Sequence, residues 1–390
     1  MISHGALTEE QQAAVEAVAV FTGGFTAHAF RAVVAGPFDD RATLDHRLDE
    51  LTASGAVVSV HEGRFDLPPG LRAEAATAMA ARPDEGEEVA RDRHLAWAVA
   101  FALDGAAGLE GPEQVVWLDS LEADHDNLRS ALAWATRHPG IEAALTLSGA
   151  LGRFWEVRGH ATEGRRWLRT VLELNPEASL AAKARVANSA GLLALREGDD
   201  RSAGEHYEES LAAHWEMGDR LGCAGVMHSL GNLAFRRWDL DEASRLFGES
   251  LDIGRDLHDD RVIGASLANL GAVADVRKDR AEARRLYEEA LDVWRRDGDT
   301  FNAAAALANL TELAMAEGDD ATARRLGEET LAARRMLGDD EGTRSVLLNL
   351  GRVAARQGDA AAAHAYRAEA RALRKKGWWL DALRRRAPGS

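Results

Sequence analysis

Residues 230–251 read LGNLAFRRWDLDEASRLFGESL, and their meaning comes from what stands forty positions away on either side. Gly231 has counterparts at Gly191, Gly271 and Gly351, with Thr311 in the remaining slot. Ala243 belongs to the series Ala203, Ala243, Ala283, Ala323 and Ala363, and Leu251 to Leu211, Leu251, Leu291 and Leu331. A fourth series is Asp199, Asp239, Asp279, Asp319 and Asp359. Self-similarity at a fixed period of this size marks a stacked repeat architecture. Within each period apolar residues recur at helical spacing, as in Leu230, Leu233, Ala234 and Leu246, Leu251, so the elements are amphipathic helices. Turn signals fall twice per period. Gly198-Asp199, Gly318-Asp319 and Gly358-Asp359 form one set, and Gly218-Asp219, Gly298-Asp299 and Gly338-Asp339 the other, with His258-Asp259 as its variant. Glycine tolerates the left-handed turn that closes a helix, and the Asp carboxylate accepts from the first amides of the next. Asp239 with Glu242, and Asp279 with Glu282, have the spacing of a reciprocal capping box. Two turns per period mean two antiparallel helices per period.

Small residues at Gly231 and Ala243 let the two axes approach closely. The set Leu230-Gly231, Ala243, Phe247 and Ser250 resembles the tetratricopeptide repeat signature. Units centred on Gly191, Gly231, Gly271, Thr311 and Gly351 fit it, and Leu151-Gly152 with Trp155, Gly159 and Leu168 is a more divergent copy beginning near Ile141. The resemblance covers roughly residues 141–374 and implies an all-α fold, an α-solenoid of about six helical hairpins. Gly377 to Arg386 is expected to add an amphipathic helix whose Trp378, Trp379 and Leu383 cover the open end.

The amino-terminal part changes character. Helical patterns at Glu9–Val20, Ala27–Ala35 and Thr43–Ser54 precede two strand-like runs, Val57–Val60 and Arg64–Leu67, which read as a β-hairpin. Three helices and a hairpin predict a winged-helix-like module over residues 1–76. Further helices are expected over Glu87–Asp104 and Pro112–Arg137, after an acidic linker at Pro83–Glu88. The stretch VAVFTGGFT at residues 18–26 and WLDSLEADHDNLRSALAW at 117–134, followed by Phe154-Trp155 and Gly159-His160, resemble the winged-helix and connecting segments of bacterial signal-transduction ATPases, the maltose-type and antibiotic-pathway activators. That likeness implies a sensor half. The Gly-x-x-x-x-Gly-Lys-Ser/Thr loop that cradles phosphates is missing from the sequence, so nucleotide hydrolysis is not inherited, and a freestanding sensor without its ATPase is expected. The expected divisions are the module at 1–76, linker and connecting helices at 77–140, the repeat superhelix at 141–374, and a capping helix with a basic tail at 375–390.

Composition narrows the function classes. With 46% hydrophobic and 28% charged residues, the chain is neither disordered nor a membrane protein. No apolar run reaches the ~18 residues of a membrane span, and Met1–Gln12 lacks the basic and apolar regions of a secretion signal, so a cytoplasmic location is expected. A single cysteine, Cys223, makes no internal disulfide. A formal charge of −17 disfavours duplex nucleic acid as a partner. The expected third helix of the module, with Asp45, Asp49 and Glu50 against Arg47, disfavours it too. The exception is a basic group at Arg371, Arg374, Lys375, Lys376 and Arg384–Arg386, opposed by Asp381, which suits the carboxyl end of a terminal helix.

No catalytic set stands out. Cys223 and His228 are five apart and rotate away from a common helix face, and Asp124-His125-Asp126 are neighbours that a helix splays apart. No metal-ligand spacing occurs, so neither metal nor cofactor is expected. What remains is the inner surface of the superhelix. Asn269, Asn309 and Asn349 occupy one recurring slot, with Ser189 and Ser229 in earlier copies, and nearby slots carry Asn188, His228, Asn232, Phe235, Arg236, Asp275, Glu312, Met315, Arg352 and Arg356. An amide donates and accepts, so a row of them can satisfy the backbone of a bound strand. Alternatively these Asn bond between adjacent helices. The carboxylate clamp of peptide-binding tetratricopeptide repeats needs a cation one turn before the Asn, where Gly225, Ala265, Ala305 and Ser345 stand, so a free carboxyl terminus is not the expected anchor.

These observations predict a noncatalytic cytoplasmic sensor or adaptor that binds a peptide, a protein segment or a small metabolite in its groove, with no membrane partner. One alternative is a small-molecule enzyme or drug-sequestering protein of a biosynthetic or resistance pathway, with Trp155, Trp215 and Phe235 enclosing the ligand. The other is a transcriptional regulator acting through the winged-helix module.

Overall fold

Thr8 opens the first helix by accepting from the Gln11 amide, while the Gln11 side chain accepts from the Thr8 amide, a reciprocal cap. The computed structural model describes residues 3–386 except 37–38, 62, 82–85, 110–112, 138–140 and 176, with side chains as far as residue 373 and not at 141. Two units are resolved by packing, Met1–Met217 and Gly218–Ser390.

The first unit begins α1 (Glu9–Val18), β1 (Phe25–Thr26), α2 (Ala27–Val34), α3 (Arg41–Ser54), β2 (Val58–His61), β3 (Arg64–Asp66) and α4 (Pro69–Ala80). The strands form an antiparallel sheet of order β1-β3-β2, with Phe65 opposite Phe25 on one side and Ser59 on the other. The three helices and the hairpin lie where expected. Strand β1, too short to show a period, and α4, whose Pro69-Gly70 start reads as a turn, were not foreseen. Next come α5 (Glu88–Gly108), α6 (Gln114–Ala123) and α7 (His125–Ala135). The single helix expected over 112–137 is broken at Asp124. The cause is tertiary: the Asp124 carboxylate takes two bonds from the Arg64 guanidinium, at 2.8 and 2.9 Å, and one from Asn127 at 2.8 Å. Asn127 is itself buried, accepting from the Thr22 amide and donating to Gly24 O. Asp124 and Asn127 thus tie the amino-terminal elements to the helices that follow.

The unit ends with α8 (Ile141–Ala150), α9 (Gly152–Arg158), α10 (Ala161–Leu174), α11 (Leu180–Arg196) and α12 (Asp200–Met217). The first helix of the divergent repeat is split at Leu151, and one hydrophobic core runs from Leu7 to Leu193. The earliest hairpins therefore share a core with the amino-terminal module.

The second unit is a succession of hairpins: α13 (Arg220–Arg236) with α14 (Leu240–Leu257), α15 (Asp260–Val276) with α16 (Arg280–Asp297), α17 (Thr300–Glu317) with α18 (Asp320–Met336), and α19 (Asp340–Arg356) with α20 (Ala360–Arg386). Each unit packs such hairpins in tandem, the arrangement of an all-α solenoid. Helix α20 is continuous through 377–386. The side chains of Trp378, Trp379, Leu383 and the basic group from Arg374 onward lie outside the described residues, so their expected roles do too.

The Asp residues do what their chemistry dictates. Asp219, Asp239, Asp259, Asp279, Asp299, Asp319 and Asp339 each accept from the backbone amide three residues on. The expected return bonds from Glu242 and Glu282 are absent. The Asp239 and Asp279 amides already donate to Ala234 O and Ala274 O, and the two glutamates pair with Arg245 and Arg285. A pair between two ionised groups replaces a bond to a donor already occupied.

Candidate functional site

In the second unit the first helices of the hairpins, α13, α15, α17 and α19, carry the recurring slot. Asn269 Nδ2 lies 3.2 Å from Nε2 of His228 on the preceding first helix, and burial holds that imidazole below its ordinary pKa, leaving a neutral ring that accepts. Asn349, 7% exposed, donates to Glu312 Oε1 at 3.3 Å and accepts from Arg352 at 2.6 Å. Between them Asn309 is half-buried, and its side chain makes no hydrogen bond among the described residues. Two of the three amides therefore bond between adjacent helices, and the third is free.

Glu312 is exposed and sits at the mouth of a cavity of about 180 Å³ between α17 and α19. Thr311, Ser345, Val346 and Asn349 line it, and Arg334, held by Asp339 at 2.6 Å, closes one end. Burial, with the carboxylates of Asp275 and Glu312 nearby, pushes the Tyr287 phenol up to about 12, so it stays protonated. Tyr287 carries no signal in the sequence beyond its place in the aromatic slot. Arg356 donates to Met315 O and pairs with Asp320, so this cation and the Met315 carbonyl fasten α19 to its neighbours, while Met315 packs on Ala314, Ala323 and Val353. On α13, Asn232 and Phe235 are half-buried and Arg236 is exposed.

Other candidates sit in the first unit. The Ser189 hydroxyl donates to Gly149 O at 2.8 Å and so serves packing. Asn188 is half-buried with its Oδ1 sheltered and without a partner. Trp155 is 1% exposed and packs under Gly164 and against Leu193, so it belongs to the core and encloses no ligand, while Trp215 is exposed. Cys223, in the second unit, is buried, and burial pushes its thiol up, an unreactive setting.

Sequence spacing gave no reason to join His125 to Glu122 and His160, yet one donor atom from each lies within 4.8 Å of the others. Glu122 comes from the end of α6, His125 opens α7, and His160 stands in the turn between α9 and α10. Two helices and a turn bring them together, which no linear motif records.

Residues 222–296 match the tetratricopeptide repeat family model. That segment carries tetratricopeptide repeats, and the fold of the chain resembles that of a repeat-bearing sensor. A signal transduction ATPase with numerous domains and a tetratricopeptide repeat sensor, from Pyrococcus horikoshii, aligns with 97% of this chain and 65% of its own, with a TM-score of 0.54 and 13% identity. A Rap protein solved in complex with competence and sporulation factor aligns with 72% of this chain and 78% of its own, with a TM-score of 0.51 and 13% identity. Proteins of Mycobacterium bovis and Mycobacterium tuberculosis named as HTH-type transcriptional regulators are 32% identical over 174 residues, 44% of this chain. The match spans 19% of the length of these relatives. Among the described residues no helix is long and apolar enough to cross a membrane.

Proposed function

We propose that this chain is a noncatalytic regulatory sensor or adaptor that holds an extended peptide or protein segment along the first helices of its second unit. The observation that carries the reading is the cavity between α17 and α19, lined by Thr311, Glu312, Ser345 and Asn349, with the unbonded amide of Asn309 next in sequence to its lining residue Ala308. Its volume of about 180 Å³ is below the roughly 300–1,000 Å³ of sites that enclose a small molecule. It suits one side chain of a longer ligand, whose backbone the Asn309 amide can meet as donor and acceptor. Glu312 at the mouth favours a basic or amide-bearing side chain. The Rap structure, solved with a bound factor, agrees with such a use of the fold.

The test is a phage-displayed random peptide library panned on the whole chain, with an Asn309→Ala/Glu312→Ala variant as counter-screen. A recurrent sequence that binds the wild type at least about tenfold more tightly than the variant supports the reading. No enrichment, or equal binding, defeats it.

Regulation is also the sense of the mycobacterial relatives' names. The order α1-β1-α2-α3-β2-β3 supports reading residues 1–76 as a winged-helix-like module. Of its α3 arginines, Arg47 pairs with Asp39 at 3.0 Å, and the exposed Arg41 lies 3.6 Å from Asp45, which Arg31 already holds. Paired cations offer little to phosphates, which favours a docking role for the module over DNA recognition.

A further inference from the structure

We propose that Glu122, His125 and His160 form a binding site for a divalent zinc-class metal ion that clasps α6 and α7 to the start of α10. The donor set is two imidazoles and one carboxylate, the ligand chemistry of zinc sites with three protein ligands and water in the fourth position. Donor atoms bound at about 2 Å in a tetrahedron lie roughly 3.4 Å apart, and the three here already lie within 4.8 Å. Glu122 and His160 lie at the rim, so the remaining approach falls to their side chains.

The independent sign is His125. It is 5% exposed, and its Nε2 is buried with no hydrogen-bond partner, an arrangement that native proteins avoid unless something else satisfies the atom. The ring is oriented by an edge-on contact with Phe154, with centroids 5.1 Å apart, and lies 4.3 Å from the ring of His160. His160 Nε2 already meets the Glu122 carboxylate at 3.2 Å. Glu163 stands 3.8 Å from His125 Nε2 but is bound by Arg129 and Trp167, which leaves it beside the ligand set as an outer carboxylate.

The test titrates zinc by calorimetry, and cobalt(II) by visible absorption, into chelator-treated full-length chain. Glu122→Gln and His160→Gln are the main variants because both side chains lie at the rim, with His125→Gln as a third. The expected result is one zinc per chain, a raised Tm, cobalt bands of four-coordinate character, and binding weakened at least about tenfold in each rim variant. Melting of the metal-free variants at the wild-type temperature shows that they fold. Absence of zinc binding, or equal binding by wild type and the Glu122→Gln/His160→Gln double variant, overturns the proposal.

Discussion

A methyl group built on Gly231 would lie 2.5 Å from the Phe247 ring, whereas one built on Gly225, on the same helix, meets nothing within 4 Å. In an open helix interior Ala exceeds Gly by roughly 0.8–1.0 kcal/mol, so Gly225→Ala should stabilise the chain by up to about 1 kcal/mol. Gly231→Ala should reverse the sign and cost about 1–3 kcal/mol, because overpacking displaces a buried ring. Urea denaturation of the two variants reads the difference, and a gain at both positions would show that Phe247 does not hold Gly231 in place. The exception to the series has the same logic. Where Thr311 replaces the glycine, Gly327 replaces the aromatic, and a methyl there would meet Thr311 Cγ2 at 3.5 Å and Leu350 of the next hairpin at 2.8 Å, so these two side chains occupy the space the aromatic fills elsewhere. Residue identity at forty-residue intervals made this packing legible. The Asn row was legible as a row, but not that Asn269 and Asn349 are spent on His228 and Glu312, since a partner on the next helix leaves no mark within one period. The cluster of Glu122, His125 and His160 was illegible for the same reason.

At the scale of elements, the turn between the two helices of a hairpin demands a left-handed residue. Gly198, Gly318 and Gly358 take φ of 81, 80 and 77°, but Trp238 and Lys278 take the same role with φ of 61 and 67°. A side chain in this conformation costs about 1–2 kcal/mol. Lys278→Gly should therefore raise stability by about 1 kcal/mol after the added chain entropy of glycine, measured as a higher urea midpoint with unchanged slope. A lower midpoint would mean that the lysine side chain contributes more than its backbone strain removes. Helix ends in the repeats were readable because a positive-φ residue followed by an Asp cap is local chemistry. The break at Asp124 was not, because it depends on Arg64, sixty residues away. Strand β1 likewise exists only through its pairing with β3.

For the molecule as a whole, acid should act in two stages. His94 is 2% exposed, edge-on to Phe21 with centroids 4.8 Å apart. Burial, with a smaller contribution from Arg91, lowers its pKa to about 3. Unfolding returns the imidazole to about 6.5, so the unfolded chain binds more protons throughout the interval between, and stability falls as the pH falls through it. The loss due to His94 alone should reach about 2 kcal/mol by about pH 5, relative to about pH 8. A second population responds later. Asp199 and Asp319 are held below the ordinary value of 3.8 by side-chain bonds from Ser202 and Thr322, and Asp359 by the Ala362 amide. Their folded pKa values are depressed, so their contribution is intact above 3.8 and disappears as the pH drops below it. His94→Leu should flatten its share of the first stage and leave the second. Asp319→Asn, which preserves a capping side chain, should diminish the second and leave the first. Urea melts followed by circular dichroism between about pH 8 and pH 2 separate the stages. An unchanged slope above about pH 5 in His94→Leu would mean that His94 titrates in the folded chain as freely as in the unfolded one, and that the aromatic core around Phe21 admits water.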